Sequence, residues 1–165
     1  MFNNLQADQY YQDIFEIDLD LLKKDGINGL IIDIDNTIVP WSEEAIVIEV
    51  VDWFKELSGR GFKICLVSNG ANKRVHFFAE ELKIPAVGQA VKPFKKAFKS
   101  AQKTLNLKPK EIAVIGDQVF TDVFGGNRMG FTTILVDPMS DKELFTTKIM
   151  RTIEKFVKGR GKYDK

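Results

Sequence analysis

Five short apolar runs, separated by stretches of helical periodicity, constrain the fold of this 165-residue chain more than any other feature. They fall at residues 29 to 33, 62 to 67, 86 to 90, 112 to 116 and 132 to 136. Runs of this length without polar alternation suit strands buried on both faces. Between them Ile46, Val50, Phe54 and Leu57 recur at helical spacing, as do Val75, Phe78, Ala79 and Leu82, and Phe94, Ala97, Phe98, Ala101 and Leu105. The alternation predicts an α/β fold, a parallel sheet of about five strands with helices on both faces, in one Rossmann-type domain over residues 1 to 165. Ser42, followed by Glu43 and Glu44, is the expected N-cap of the first of these helices. Gly59-Arg60-Gly61 and Gly130 mark turns before the second and last strands.

Outside this frame, residues 1 to 27 read as an amino-terminal arm and residues 141 to 165 as a basic carboxy-terminal helix and tail. From Lys142 to Lys165 there are eight basic residues against three acidic ones, and Phe145, Ile149, Ile153 and Phe156 recur at helical spacing. The reading favoured for this stretch is a last helix packed on the sheet with an exposed cationic face. A membrane-surface or RNA contact is the alternative.

With 44% hydrophobic residues the chain has enough apolar material for one core, and its 24 basic against 23 acidic residues exclude a global affinity for polyanions. The single cysteine, Cys65, lies inside an apolar run, so it reads as a small buried strand residue and a reducing compartment is favoured. The first residues lack the charge and apolar stretch of a secretion signal, and no segment approaches the ~18 apolar residues of a membrane span. The expectation is a soluble cytoplasmic protein, with peripheral contact at an anionic membrane left to the tail.

Chemistry enters where the runs end. Leu30-Ile31-Ile32 leads into Asp33-Ile34-Asp35-Asn36-Thr37, Ile64-Cys65-Leu66-Val67 into Ser68-Asn69-Gly70, the run ending at Val91 into Lys92-Pro93, and Ile112-Ala113-Val114-Ile115 into Gly116-Asp117 with Asp122 beyond. Ligands of parallel sheets collect outside the carboxyl ends of the strands, so these residues would converge. Asp33 at a strand tip can attack phosphorus as a carboxylate nucleophile if a cation screens the two anions. Asp35 can protonate the leaving oxygen and later deprotonate water. Thr37 either hydrogen-bonds a phosphoryl oxygen or braces the turn. Ser68 and Asn69, at an expected helix start, offer donors to phosphoryl oxygens, and Lys92 brings a positive charge to them. Asp122 either holds a metal-bound water or orients Lys92, an indirect role in both cases. A lone His76 reads as surface or packing, Trp41 as lining the site mouth or anchoring its loop, and Arg128 as a helix-end cation or an anion contact.

These four stretches, in this order and each after a strand, resemble the four motifs of the haloacid dehalogenase (HAD) superfamily of phosphatases over residues 28 to 137. Ile32 to Thr37 and Gly116 to Asp122 are most similar to subfamily IIIA, the YqeG-like group and the mitochondrial phosphatidylglycerophosphate phosphatases. The resemblance implies Asp33 as the residue that becomes an aspartyl-phosphate, Asp35 as general acid and base, and Mg²⁺ held by Asp33, the carbonyl of Asp35 and Asp117. The segments from Pro40 to Gly61 and from Asn69 to Val91 leave no space for a cap domain, so the expected substrate is a phosphate presented on something large. A lipid head group such as phosphatidylglycerophosphate is favoured over a nucleic-acid end or a protein. Two other classes compete: a receiver-type phospho-accepting domain, against which Asp35 argues, and a binding protein on the same scaffold recruited to RNA, ribosomes or membrane.

Overall fold

The computed structural model describes residues 3 to 139. Six strands form one sheet in the order β1-β6-β5-β2-β3-β4: β1 (Gln9–Tyr11), β2 (Gly29–Ile32), β3 (Lys63–Val67), β4 (Ala86–Val87), β5 (Ile112–Gly116) and β6 (Thr132–Val136). Every pairing is parallel. From β2 the chain winds outward through β3 and β4, then returns to lay β5 on the other side of β2. The winding direction therefore reverses between β2 and β5, where Ile32 pairs with Ile115. Such a switch point leaves a crevice at the strands' carboxyl ends, because the connections on its two sides depart in opposite directions.

Period-two alternation divides the core between two faces. Leu30, Ile32, Ile64, Leu66, Ala113 and Ile115 join α2 (Ile48–Gly59) and α3 (Asn72–Leu82) through Val50, Phe54, Leu57, Val75 and Phe78. Ile31, Cys65, Val67, Ile112 and Val114 face the other way onto α4 (Lys95–Leu105) through Ala97, Phe98, Ala101 and Leu105. A short α5 (Phe124–Met129) closes on α4 so tightly that a Cβ on Gly125 would stand 2.3 Å from the Phe98 ring. Cys65 is buried, and burial pushes its thiol up to about 11, so it is a packing residue.

Four expectations are corrected. The sheet has six strands, because the amino-terminal arm supplies β1: Gln9, Tyr10 and Tyr11 pair with Ile134, Leu135 and Val136. The arm also contains α1 (Leu19–Lys24), whose N-cap Asp18 accepts from the Leu21 amide. Ser42 caps nothing. α2 starts at Ile48 with Val47 at its N-cap, and the preceding residues form a turn in which the Glu43 amide donates to the Pro40 carbonyl. Ile46, buried ahead of the helix, anchors that turn. Strand β4 ends at Val87 rather than residue 90, since Gln89 and Val91 take φ of 47° and 51°, which no ladder accommodates. Finally, Phe94 leaves the buried stripe assigned to it. It stands at the N-cap of α4 with 64% of its surface exposed. The expected basic helix and tail, 141 to 165, lies outside the described residues.

One helix separates β2 from β3, and one helix with the two-residue β4 separates β3 from α4. Neither connection holds a cap domain. Among the described residues no helix is long and apolar enough to cross a membrane.

Candidate active site

Strand register sets the first distances. β2 and β5 are neighbours, and the Asp33 amide continues their ladder by donating to the Ile115 carbonyl at 2.9 Å. Asp33 and Asp117 thus leave adjacent strand tips side by side. Beyond Asp33 the backbone turns at once: Asn36 has φ of 60°, its amide donates to the Val39 carbonyl at 2.7 Å, and its Oδ1 accepts from the Trp41 amide. Asparagine tolerates this left-handed conformation better than most residues, so the turn is chemically specified. It brings the Thr37 hydroxyl 3.2 Å from both Asp33 Oδ2 and Asp117 Oδ1. One hydroxyl proton serves one of them at a time, and Thr37 therefore links the two carboxylates.

Asp122 arrives by a different route. Residues Val119–Val123 form a π-helical turn, a geometry that widens the helix by one residue per turn. It folds the Asp122 side chain back over Gly116, where a Cβ would lie 2.2 Å from the carboxylate carbon. Glycine at 116 is therefore a condition for Asp122 to reach the site. Its Oδ2 accepts from the Gln118 amide, and its Oδ1 lies 2.6 Å from Lys92 Nζ. Lys92 Nζ also donates to Asp33 Oδ1 at 2.7 Å. This lysine enters on the loop after β4, and the Asn69 side chain pins that loop by accepting from the Lys92 amide at 2.7 Å.

Asp33, Asp117 and Asp122 are buried, and each offers a carboxylate oxygen within 4.8 Å of the others'. Burial opposes the charged form of Lys92, but the carboxylates of Asp122 and Asp33 outweigh it and hold the ammonium above the usual lysine range. Burial raises the Asp122 carboxyl above the usual carboxylate range although Lys92 acts against the rise. With all groups ionised, three buried carboxylates face one buried ammonium, an excess of two negative charges in a poorly solvated place. An all-oxygen donor set with that excess fits a hard divalent cation such as Mg²⁺.

The Asp35 carboxylate stands apart from this cluster. Its Oδ1 is 3.0 Å from Arg74 Nε, and both side chains are about one quarter exposed. Burial raises its pKa and Arg74 partly offsets the rise. The same guanidinium donates to the Glu43 carbonyl at 2.7 Å and to the Pro40 carbonyl, fastening the loop after β2 to α3. Arg74 was not among the expected site residues. Its trace in the sequence is a pair of cations, Lys73 and Arg74, in the first turn of a helix, where the dipole favours acids.

The remaining candidates separate. Ser68 is buried, and its Oγ accepts from the Gly70 amide at 3.0 Å. The helix start expected at Ser68 and Asn69 falls instead at Asn72. Trp41 is 57% exposed at the mouth, while His76 lies on the outer face of α3. Arg128 stacks over the Phe124 ring at the last turn of α5, which runs away from the site edge.

Residues 89–141 match the HAD-hydrolase-like family. The chain is 40% identical to the "Probable phosphatase YqeG" of Bacillus subtilis, over 90% of this chain and 86% of the relative. It is 28% identical to the "Phosphatidylglycerophosphate phosphatase 1, chloroplastic/mitochondrial" of Arabidopsis thaliana, over 87% of this chain but 44% of the relative. Among solved structures, the 3-deoxy-D-manno-octulosonate 8-phosphate phosphatase of Moraxella catarrhalis, a complex with magnesium, phosphate and sugar, aligns with a TM-score of 0.56. That alignment is 15% identical and covers 73% of this chain and 75% of the neighbour, a likeness of fold.

Proposed function

This chain belongs to the HAD superfamily of phosphatases, and on that premise we propose that it is a Mg²⁺-dependent phosphomonoester hydrolase that works through an aspartyl-phosphate on Asp33. The observation that carries the reading is the buried bridge from Asp33 through Lys92 to Asp122, with Asp117 in the same cluster. Lys92 and Thr37 each hold one oxygen of Asp33, so its carboxylate is fixed in direction before any substrate arrives.

In the proposed cycle an Asp33 oxygen attacks phosphorus while the bond from phosphorus to the leaving oxygen breaks. Asp35 gives that oxygen its proton. Asp35, now a carboxylate, then takes a proton from water, whose oxygen attacks the aspartyl-phosphate and releases inorganic phosphate and Asp33. A divalent cation held by Asp33, Asp117 and the Asp35 carbonyl would neutralise charge on the phosphoryl oxygens. Lys92 adds a second positive charge to those oxygens, and Ser68 with its neighbouring amides adds donors. Asp122 acts one step back, by holding Lys92. Asp35 suits the acid role because burial keeps its proton to higher pH than an exposed aspartate would.

For the substrate we infer a phosphate carried on something large, phosphatidylglycerophosphate first. The open crevice, the lipid phosphatase among the relatives and the basic residues 142 to 165 support it, and with it comes peripheral contact at an anionic membrane from the cytoplasmic side. A phosphate-release screen over lipid, nucleotide and phosphoprotein substrates, run with Mg²⁺ and with EDTA, tests this. Phosphatidylglycerophosphate should rank first, and only with Mg²⁺; equal rates across classes would remove the lipid assignment. For the nucleophile, Asp33→Asn should lower turnover of a generic aryl phosphate by more than about 10³-fold with the fold retained. Undiminished turnover would place the nucleophile elsewhere.

A further inference from the structure

All six strands are parallel, so every carboxyl end opens on one edge of the molecule. Of the nine large apolar side chains that are exposed among the described residues, eight lie at this edge: Phe15, Trp41, Val47, Ile48, Phe77, Val91, Phe94 and Met139. They stand on the segments after β1, β2, β4 and β6 and on the first two turns of α2 and α3. Scattered exposure would not be so partitioned.

Charge narrows the surface further. The exposed carboxylates of the edge, Asp13, Glu16, Glu43, Glu44 and Glu49, sit after β1 and around the start of α2. The β4 side is cationic instead. Exposed Lys95 and Lys96 follow Phe94 in the first turn of α4, and exposed Lys73 opens α3. Neither helix has an acid in that turn. Cations there are unfavourable to the isolated helix; at α3 Glu44 lines the same groove as Lys73, whereas Lys95 and Lys96 at the start of α4, next to exposed Phe94, suit an anionic partner outside the chain. Val91 and Phe94, 61% and 64% exposed, flank Lys92 itself. The amide of Met139, the last described residue, donates to the Asn36 carbonyl at 2.9 Å, beside the site.

We propose that Val91 and Phe94, beside Lys95 and Lys96, form a docking surface that inserts into an anionic bilayer and presents Lys92 and Asp33 to phosphates at the lipid surface. The inference rests on the lipid reading given above for the substrate. Apolar side chains inserted beside cations give binding that depends both on anionic lipid and on buried area. With the surface seated, the crevice would open onto the head groups, and a phosphate would reach Asp33 without its lipid leaving the membrane.

The test is co-sedimentation of the full-length Asp33→Asn protein with vesicles of phosphatidylglycerol and phosphatidylcholine, against phosphatidylcholine alone. Binding should require phosphatidylglycerol and weaken with salt. Phe94→Ser should weaken it about tenfold or more, and Lys95→Gln/Lys96→Gln by a similar factor at low salt. With Asp33 intact, both variants should turn over a soluble aryl phosphate at the unaltered rate, which controls for folding. Strong binding that neither variant weakens would overturn the surface, since the contact would then lie elsewhere, as would binding of homopolymeric RNA in place of vesicles. Vesicle-dependent binding lost in both variants, with phosphatidylglycerophosphate no better than other substrates, supports the surface and removes the substrate assignment. Preferential turnover of phosphatidylglycerophosphate in detergent micelles without vesicle binding keeps the substrate and removes the surface.

Discussion

At the scale of single residues, the site divides into a charge cluster and a proton donor. Asp33, Lys92 and Asp122 form a chain of contacts at 2.7 and 2.6 Å, whereas Asp35 answers to Arg74. Arg74 is best described as a positioning residue: it touches Asp35 and the loop after β2, and its charge holds down a pKa that burial raises. Removing it should send Asp35 further up. An acid that must be protonated to donate then stays competent to higher pH, so Arg74→Met should move the alkaline limb of kcat/KM upward. The loop also loses its fastening, and turnover should fall by roughly 10- to 100-fold. A pH profile on an alkyl phosphate, whose poor leaving group needs the proton, reads both effects. An unmoved alkaline limb would mean that Asp35 is not the acid. Asp35→Asn should cost about 10²- to 10⁴-fold on the same substrate while Mg²⁺ affinity persists, because only its backbone carbonyl is assigned to the metal. Arg74 escaped the reading of the sequence for a physical reason. Its partner lies 39 positions away, and neither hydrophobic period nor motif spacing encodes a contact between a helix and a distant loop. Asp33 follows β2 directly and Asp117 follows β5 directly, while Asp35 and Lys92 stand further along the loops after β2 and β4; all were legible because parallel topology brings the strand ends to one edge.

At the scale of elements, the buried strands and the amphipathic helices were readable from their apolar periods, and the irregular pieces were not. β1 carries Gln9, Tyr10 and Tyr11, all half-buried, and has no apolar run to announce it. What holds it is pairing with β6 plus a short hydrogen bond from the Tyr10 hydroxyl to the Asp137 carboxylate. The start of α2 was misread because Ser42 and its glutamates look like a cap, yet the buried Ile46 and the Arg74 contacts draw that stretch into a loop. The Tyr10 clip makes a prediction about pH. Burial and then Asp137 raise the phenol from 10.0 to about 12. A group whose folded pKa exceeds its unfolded value stabilises fully below the unfolded value and loses that effect as pH rises to the folded one. The clip should therefore be intact below pH 10 and fade between about 10 and 12. Tyr10→Phe should cost a few tenths to about 1 kcal/mol at neutral pH, given how much of the ring is solvated. Urea unfolding at pH 7 and pH 12 measures this; a penalty as large at pH 12 as at pH 7 would assign the loss to packing instead.

At the scale of the molecule, the sheet concentrates negative charge at its switch point, and that sets what folding requires there. Asp33, Asp117 and Asp122 converge within 4.8 Å with Lys92 as the ammonium in contact with two of them, so the folded state carries a repulsion that the unfolded chain relieves. A divalent cation that binds only the folded site should stabilise the whole fold through linkage, by about 2.7 kcal/mol at a hundred times its Kd. For a chain of this size that corresponds to a rise in Tm of roughly 5 to 10 °C. Mg²⁺ should produce such a rise in the metal-stripped protein, and EDTA should reverse it. Asp117→Asn removes one negative charge and one ligand together. Its metal-free form should melt at or above the metal-free parent, because the repulsion falls, while its response to Mg²⁺ should largely vanish. This opposite movement of the two terms separates a metal-binding cluster from a merely structural one: in a structural cluster, Asp117→Asn would lower the metal-free Tm through lost contacts, and Mg²⁺ would shift neither protein.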